Sequence, residues 1–386
     1  MKIAIMPDSF KEGPDAHYVA NSIEEGILSI DDTIETAKIP VSDGGDGLAN
    51  RLIHASSGRF KTVKATGPLG DEIETQYGII DNTGIALIES ALTCGISLVP
   101  KEKRDPTIAT SYGLGTVINK VIEDGYREII IGLGGSATND AGAGMLQSLG
   151  VSLKDKEENE LPVGGLALKK IKHIDASRLY EKLPSNLKIK VACNPSSVLC
   201  GPKSTSLVYS KQKGATEEQS YKLDEALFKF GVATYKYTGE DIRYAPGSGG
   251  AGGIGAALKA YLGADLVHSI EVVKQYLPIE ENIRKSDFVI SAEGRFDERS
   301  VKGKIVGEIA RISKKHNKPF FVLYGQSPEK LDFSYDLIDG AFCIVNEPSN
   351  LENAVQSTLP NLRRTSAMLT KSILRFSGGY NENIRS

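Results

Sequence analysis

Five segments of the chain gather glycines with polar side chains, mostly carboxylates. They are PDSFKEG (Pro7–Gly13), PVSDGGDG (Pro40–Gly47), GLGGSATNDAGAG (Gly132–Gly144), PGSGGAGG (Pro246–Gly253) and SAEGRFDERSVKGK (Ser291–Lys304). Each is set where a strand should end and a helix begin. Glycine lets backbone N–H groups come close to an anion, and a helix N-terminus favours negative charge. Carboxylates beside such loops suit a hydrated metal ion bound to phosphates. The combination predicts phosphoryl transfer.

The elements that must carry these loops follow from hydrophobic spacing. Ile3 to Met6 is a short apolar run closed by Pro7-Asp8-Ser9, and Ala16, Val19, Ala20, Ile23 and Ile27 then recur at helical spacing across Asp15 to Ser29. A strand over Thr36 to Val41 leads into the DGGDG loop and a helix with Leu48, Leu52 and Ile53. This βαβα order opens a parallel α/β sheet. Phe60–Thr66, Glu74–Ile80 and Gly84–Glu89 read as three consecutive short strands, an antiparallel meander. A helix over Tyr112–Glu123, the run Ile129–Ile131, the long glycine loop and a helix with Met145, Leu146 and Leu149 follow. A strand fits Leu187–Cys193 and a helix fits Gly253–Leu262. The last third alternates again. Phe288–Ile290, Phe320–Leu323 and Ala341–Val345 are strands, and Val306, Ile309 and Ala310 share one helix face. The change of pattern near residue 60 and its reversal near 285 predict one domain inserted into another: 1–60 with 285–386, and 61–284.

Composition narrows the function classes. With 386 residues, 40% apolar and 25% charged, the chain has the make-up of an ordinary soluble protein with two domains. A net charge of −3 and the lack of a basic stripe argue against nucleic acid. No apolar stretch approaches the roughly 20 residues of a membrane span, and the apolar run in MKIAIMPDSF is too short for a signal peptide. Cys94, Cys193, Cys200 and Cys343 form no CxxC pair, and the five histidines have no metal-ligand spacing. Reduced thiols and a cytoplasmic location are expected.

Other phosphate-binding motifs fit the sequence poorly. No segment matches GxxxxGK[ST]. Gly132, Gly134 and Ala137 satisfy GxGxxA, and Gly247, Gly249 and Gly252 satisfy GxGxxG. A dinucleotide fold also needs an acid at the end of the next strand, and the nearest, Asp155, lies in the charged stretch KDKEENE. DAGAG (Asp140–Gly144) has a superficial likeness to the anion hole of ribokinase-like sugar kinases, but Met145 stands where their catalytic aspartate would be.

Taken in order, PDSFKE, PVSDGGDG, TGPLGDEI, RDPTIATSYGLG, IIIGLGGSATNDAGAGMLQSLG, KQKGAT, AGGIGAAL and EGRFDERSVKGK span nearly the whole chain, and the set resembles the bacterial glycerate kinase family (type I). The resemblance implies phosphorylation of D-glycerate by ATP with Mg²⁺, to 2-phosphoglycerate in preference to 3-phosphoglycerate, by a monomer or homodimer. It implies two α/β domains, a Rossmann/flavodoxin-like parallel-sheet domain with a mixed α/β domain inserted, and an active site in the cleft between them.

In such a kinase the protein mainly positions groups and neutralises charge. Asp8, at the end of the first strand, is expected to orient or deprotonate the acceptor hydroxyl, or else to cap the next helix. Lys11 would neutralise phosphate or carboxylate, or sit solvated on its loop. Asp43 and Asp46 flank paired glycines ahead of a helix and are the expected metal ligands, with capping as the competing role for one of them. Gly134, Gly135, Ser136, Thr138 and Asn139 suit phosphate or carboxylate oxygens, with Asp140 beside them as a catalytic candidate. Gly249, Gly252 and Glu293 are expected at the nucleotide. Arg295 would hold the glycerate carboxylate or the transferring phosphoryl group, or pair with Asp297. Thr110 and Ser111 would cap a helix or touch ligand.

The chain departs from the family's pattern at four places, one of them the stretch GPKSTSLVYSKQKGAT (Gly201–Thr216), which lacks the usual glycine-alanine-serine run. Asp46 and Leu48 stand where glutamate and threonine are usual. Ser291-Ala292 replaces Thr-Gly. CNPSSVLCG (Cys193–Gly201) replaces C-D-V-T-N-P-L-x-G, so that Asn194 takes the place of an aspartate. Leu48, Asn194 and the altered 195–206 stretch motivate an alternative, a weakly active member that senses nucleotide or a related hydroxy acid.

Overall fold

A computed structural model describes residues 1–10, 13–41, 47–56, 58–328 and 336–376. The strands run, in chain order, β1 (Lys2–Ile5), β2 (Glu35–Lys38), β3 (Arg59–Thr66), β4 (Glu72–Ile80), β5 (Ile85–Glu89), β6 (Glu128–Gly132), β7 (Ser152–Lys154), β8 (His173–Asp175), β9 (Lys188–Cys193), β10 (Asp265–His268), β11 (Phe288–Arg295), β12 (Phe320–Gln326) and β13 (Gly340–Cys343). The chain divides into two compact units, residues 1–43 with 273–386, and residues 44–272.

The discontinuous unit is built on a parallel sheet of order β13-β12-β11-β1-β2. Strands covered on both faces read as unbroken apolar runs. Accordingly Ile3, Ala4 and Ile5 in β1, and Val289 and Ile290 in β11, are fully buried. The helix Ala16–Leu28 starts where Asp15 accepts the His17 N–H at 3.0 Å. Its Val19, Ile23 and Ile27 join Ile3, Ile5 and Phe288 in one core with Leu362 and Leu369 of the helix Thr358–Phe376. Burying an aliphatic side chain of this kind stabilises by roughly 1.5–3 kcal/mol.

The continuous unit holds a mixed sheet of order β10-β9-β6-β5-β4-β3. β3, β4 and β5 form the expected antiparallel meander, and β5, β6, β9 and β10 run parallel. Glu89 pairs with Gly132, Gly132 with Ala192, and Cys193 with His268, so the carboxyl ends of four strands lie level. In open α/β sheets that edge is where ligands bind.

Some elements differ from expectation. β11 continues through Arg295 instead of stopping near Ile290, because β12 pairs beside it as far as Arg295 with Gln326. The β7–β8 pair, β10 and the 22-residue helix Glu217–Thr238 were not expected. That helix buries Ser220, Ala226, Gly231 and Thr234 beside Leu223, Leu227 and Phe230, and exposes Tyr221, Phe228 and Tyr235. Small and polar residues inside with aromatics outside blur the 3.6-residue apolar stripe. Its start was still marked: Thr216 and Gln219 form a reciprocal capping box. Among the described residues no helix is long and apolar enough to cross a membrane.

Candidate active site

In the continuous unit the glycine loop leaves β6 at Gly132 and reaches the helix Ala143–Ser148. Asp140 is fully buried at its centre. One carboxylate oxygen accepts the Ser111 N–H at 2.9 Å, the Ser111 hydroxyl at 2.8 Å and the Gly144 N–H at 3.3 Å, and the other accepts the Gly142 N–H at 3.1 Å. Burial pushes this carboxyl above the usual range, and the Ser111 and glycine donors pull it back. Asp140 therefore ties the loop to the start of the helix Tyr112–Glu123, and Ser111 spends its hydroxyl there. The capping hydroxyl for Tyr112 N–H is that of Thr110, at 3.1 Å.

The rest of the loop is held with similar economy of side chains. Ala137 N–H donates to Cys94 O at 2.8 Å and Ile96 N–H to Gly135 O at 2.7 Å. Asn139, fully buried, donates its amide to the Ser206 hydroxyl at 2.8 Å. Lys213, which received no role from the sequence, donates to the Ser136 hydroxyl at 2.9 Å and to Thr138 O at 2.7 Å. Gly134 N–H lies 3.4 Å from the Ser90 hydroxyl. Gly134, Gly135, Ser136, Thr138, Asn139 and Asp140 are thus brought together at the carboxyl edge of the sheet.

Gly249 and Gly252 belong to the same neighbourhood, and their glycine character has a packing reason. Ala141 N–H donates to Gly252 O at 3.0 Å, and a Cβ on Gly252 would overlap the Thr138 carbonyl. Main chain meets main chain here, and φ of Gly252 is +74°. Gly252→Ala is therefore expected to cost about 3 kcal/mol, the sum of a left-handed φ and overpacking. Gly239, at φ +78° with open space around its Cβ, is the control, and Gly239→Ala is expected to cost only about 1 kcal/mol. Urea unfolding midpoints of both variants check this, and equal losses would contradict the packing account.

The helix Leu48–Ser56 follows the DGGDG loop, and its N-terminus is already matched by an anion. Glu89, 5% exposed at the end of β5, accepts the Gly47 N–H at 3.1 Å and the Ala49 N–H at 2.5 Å. Sequence reading missed Glu89, because a cap forty residues away leaves no local signature. Asp43, Asp46 and Lys11 lie outside the described residues. Among the described residues no group of three or more His, Cys, Asp or Glu side chains could hold a metal ion.

In the discontinuous unit the ladder from β1 extends to Asp8, whose N–H donates to Ala292 O at 2.8 Å. The Asp8 carboxylate accepts the Ser9 N–H at 2.7 Å. Next to Ala292, Glu293 is buried and accepts Lys304 Nζ at 2.6 Å. Two residues on, Arg295 is 60% exposed, with its Nε 3.3 Å from the Asp297 carboxylate. The pair expected as the competing role for Arg295 thus exists, with Asp297 largely buried and most of the Arg295 side chain in solvent. Contrary to expectation, Glu293 and Arg295 are strand residues and not loop residues, which fixes their spacing through β12. Asp8, Glu293 and Arg295 are gathered at the carboxyl edge of the parallel sheet.

A model of the glycerate kinase family matches residues 3–374. The chain belongs to the glycerate kinase family. It is 38% identical to the glycerate 2-kinase of Escherichia coli (strain K12) over 374 residues, 97% of this chain and 98% of that one. The glycerate kinase of Bacillus subtilis (strain 168) is equally similar, 38% over 374 residues, with the same shares covered. A crystal structure of a glycerate kinase 2 candidate from Salmonella typhimurium LT2 superposes with a TM-score of 0.81 at 37% identity, covering 98% of this chain and 99% of that one. Family membership makes the chain an enzyme, a kinase that acts on glycerate.

Two departures from the family pattern now have local explanations. Leu48 is 2% exposed, so its leucine packs in the interior. Asn194 uses its side-chain carbonyl within its own turn, accepting the Ser196 N–H at 2.9 Å and the Ser196 hydroxyl at 2.8 Å. An aspartate there could accept the same two bonds, so the exchange preserves the turn while removing a charge.

Proposed function

We propose that the chain transfers the γ-phosphoryl group of ATP to D-glycerate and releases 2-phosphoglycerate. The observation that carries this reading is the Gly134–Asp140 loop. Its backbone is shaped by buried hydrogen bonds at the carboxyl edge of a parallel strand set, with a buried lysine behind it. Glycine-rich loops at such an edge suit phosphate oxygens, because their backbone N–H groups can approach an anion closely. The choice of oxygen follows the E. coli relative, which is named for the 2-kinase activity.

In this reading the glycerate hydroxyl attacks the γ-phosphorus, the bond to the β–γ bridging oxygen breaks, and ADP leaves. Asp8 orients the hydroxyl and takes its proton. Arg295 meets the glycerate carboxylate or the phosphoryl oxygens with its exposed planar fork, and Lys11 adds charge neutralisation. Ser136, Thr138, Asn139 and the glycines Gly134, Gly135, Gly249 and Gly252 line or shape the nucleotide site, with Glu293 fixing Lys304. Mg²⁺ supplies charge neutralisation on the nucleotide when bound, and Asp43 and Asp46 are its proposed ligands. Three buried free thiols, Cys94, Cys193 and Cys200, suit a reducing cytoplasm.

The test is ³¹P NMR of the purified protein with ATP, Mg²⁺ and D-glycerate. A new phosphomonoester resonance that coincides with added 2-phosphoglycerate supports the proposal. Coincidence with 3-phosphoglycerate overturns the oxygen assignment. No product with D-glycerate overturns the substrate.

A further inference from the structure

Lys213 is a buried ammonium whose hydrogen-bond acceptors among the described residues are neutral oxygens. It lies in the single helical turn Lys211–Lys213 and is 4% exposed. The turn is seated by Gly214, which packs directly against the Arg104 carbonyl. Nζ donates to the Ser136 hydroxyl at 2.9 Å and to Thr138 O at 2.7 Å, and an ammonium has three donors to place. Burying a cation against neutral oxygens is costly, so a stabilising gain must lie in what the charge organises. Both oxygens belong to the loop proposed above to receive phosphate.

We infer that Lys213 is the positioning residue of the glycine loop: by holding Ser136 and Thr138 it sets the loop's backbone, and its charge gives that loop the positive potential that an ATP phosphate requires. This rests on the proposed use of ATP. The role is distinct from that of Asp140, which ties the other half of the loop to Ser111.

The titratable groups that face Lys213 among the described residues are Cys94 and Asp140. Burial lowers the Lys213 ammonium to about 8, with Cys94 and Asp140 acting in the opposite sense. Burial pushes the Cys94 thiol up to about 12, so it stays neutral through this range. The sign follows. Below pH 8 the amine is charged in both folded and unfolded chains. Between about 8 and its unbound value of 10.5 the folded chain alone releases the proton. Stability contributed by this group therefore rises with pH across that window, while the loop's positive potential is lost. A purely structural lysine would predict no loss of nucleotide affinity there.

Lys213→Met is the test, read by the KM for ATP against kcat and by ATP titration from pH 6.5 to 9.5. The expected result is a rise of ~10–100-fold in the KM for ATP, the scale of a lost charged hydrogen bond, with the KM for glycerate little changed. The wild type should weaken its hold on ATP above pH 8, and the variant should lack that limb. An unchanged KM for ATP, or the same alkaline limb in the variant, overturns the inference. Should the variant not fold, the wild-type titration decides alone: a flat ATP affinity across pH 8 overturns it, and a loss centred near pH 8 supports it. A wild type that binds no ATP at pH 7 refutes the function reading, an outcome visible before any variant is made.

Discussion

Asp140→Asn is expected to lower turnover at least ~100-fold while the chain stays folded, a loss on the scale of a disrupted electrostatic site. The carboxylate accepts four bonds, from Ser111 N–H, the Ser111 hydroxyl, Gly142 N–H and Gly144 N–H. An amide keeps one acceptor oxygen. Placed toward Ser111 and Gly144, that oxygen retains three bonds, and the NH₂ then faces the Gly142 N–H, donor against donor. The loop must shift where its backbone donors are proposed to meet phosphate. One buried donor left unmet costs about 1–3 kcal/mol, so a lowered unfolding midpoint should accompany the loss of turnover. Asp140→Ala leaves all four donors unmet and should be far less stable. Normal turnover in the asparagine variant would show that the loop needs no such anchor. Asp140 does its work from inside, so it is expected to change substrate geometry without touching substrate.

Arg295→Ala should separate catalysis from stability in the opposite way. The side chain is 60% exposed, and its Nε lies 3.3 Å from the Asp297 carboxylate, which is itself largely buried. A single 3.3 Å contact from a mostly solvated guanidinium contributes about 1 kcal/mol, so the unfolding midpoint should fall only slightly. Turnover should nonetheless fall at least ~100-fold, because the guanidinium fork proposed to meet developing charge has no substitute in alanine. Arg295→Lys should recover little, since an ammonium cannot make the two parallel bonds. Full activity in the alanine variant would remove Arg295 from the site and leave it as a partner of Asp297.

The contrast between these two residues also measures what was legible beforehand. The strand-loop-helix order, the meander β3–β4–β5 and the position of the long glycine loop could be read from apolar runs and turn residues, because those signals are local. Asp140 was legible as a candidate, but its burial was not, since Ser111 lies 29 residues away in the chain. Glu89 and Lys213 escaped for the same reason: their partners stand 40 to 42 and 75 to 77 residues away. The helix Glu217–Thr238 escaped because packing, not propensity, decides that its small polar face turns inward. Gly249 and Gly252 were legible as a motif, yet part of their purpose is close backbone packing, which any GxGxxG pattern leaves open.

The pairing of β1 with β11 joins Ile3 to Phe288 and Ile5 to Ile290, some 285 residues apart in the chain. A ribosome makes these partners far apart in time. At roughly 5–20 residues per second, Phe288 follows Ile5 by about 15–60 s. Residues 44–272, which form the other unit, are all synthesised within that interval and depend on nothing that comes later for their own sheet. The unit that begins first is therefore finished last, and through the delay β1 has only β2 and the helix Ala16–Leu28 to pack with, while β11 and the helix Thr358–Phe376 are still to come.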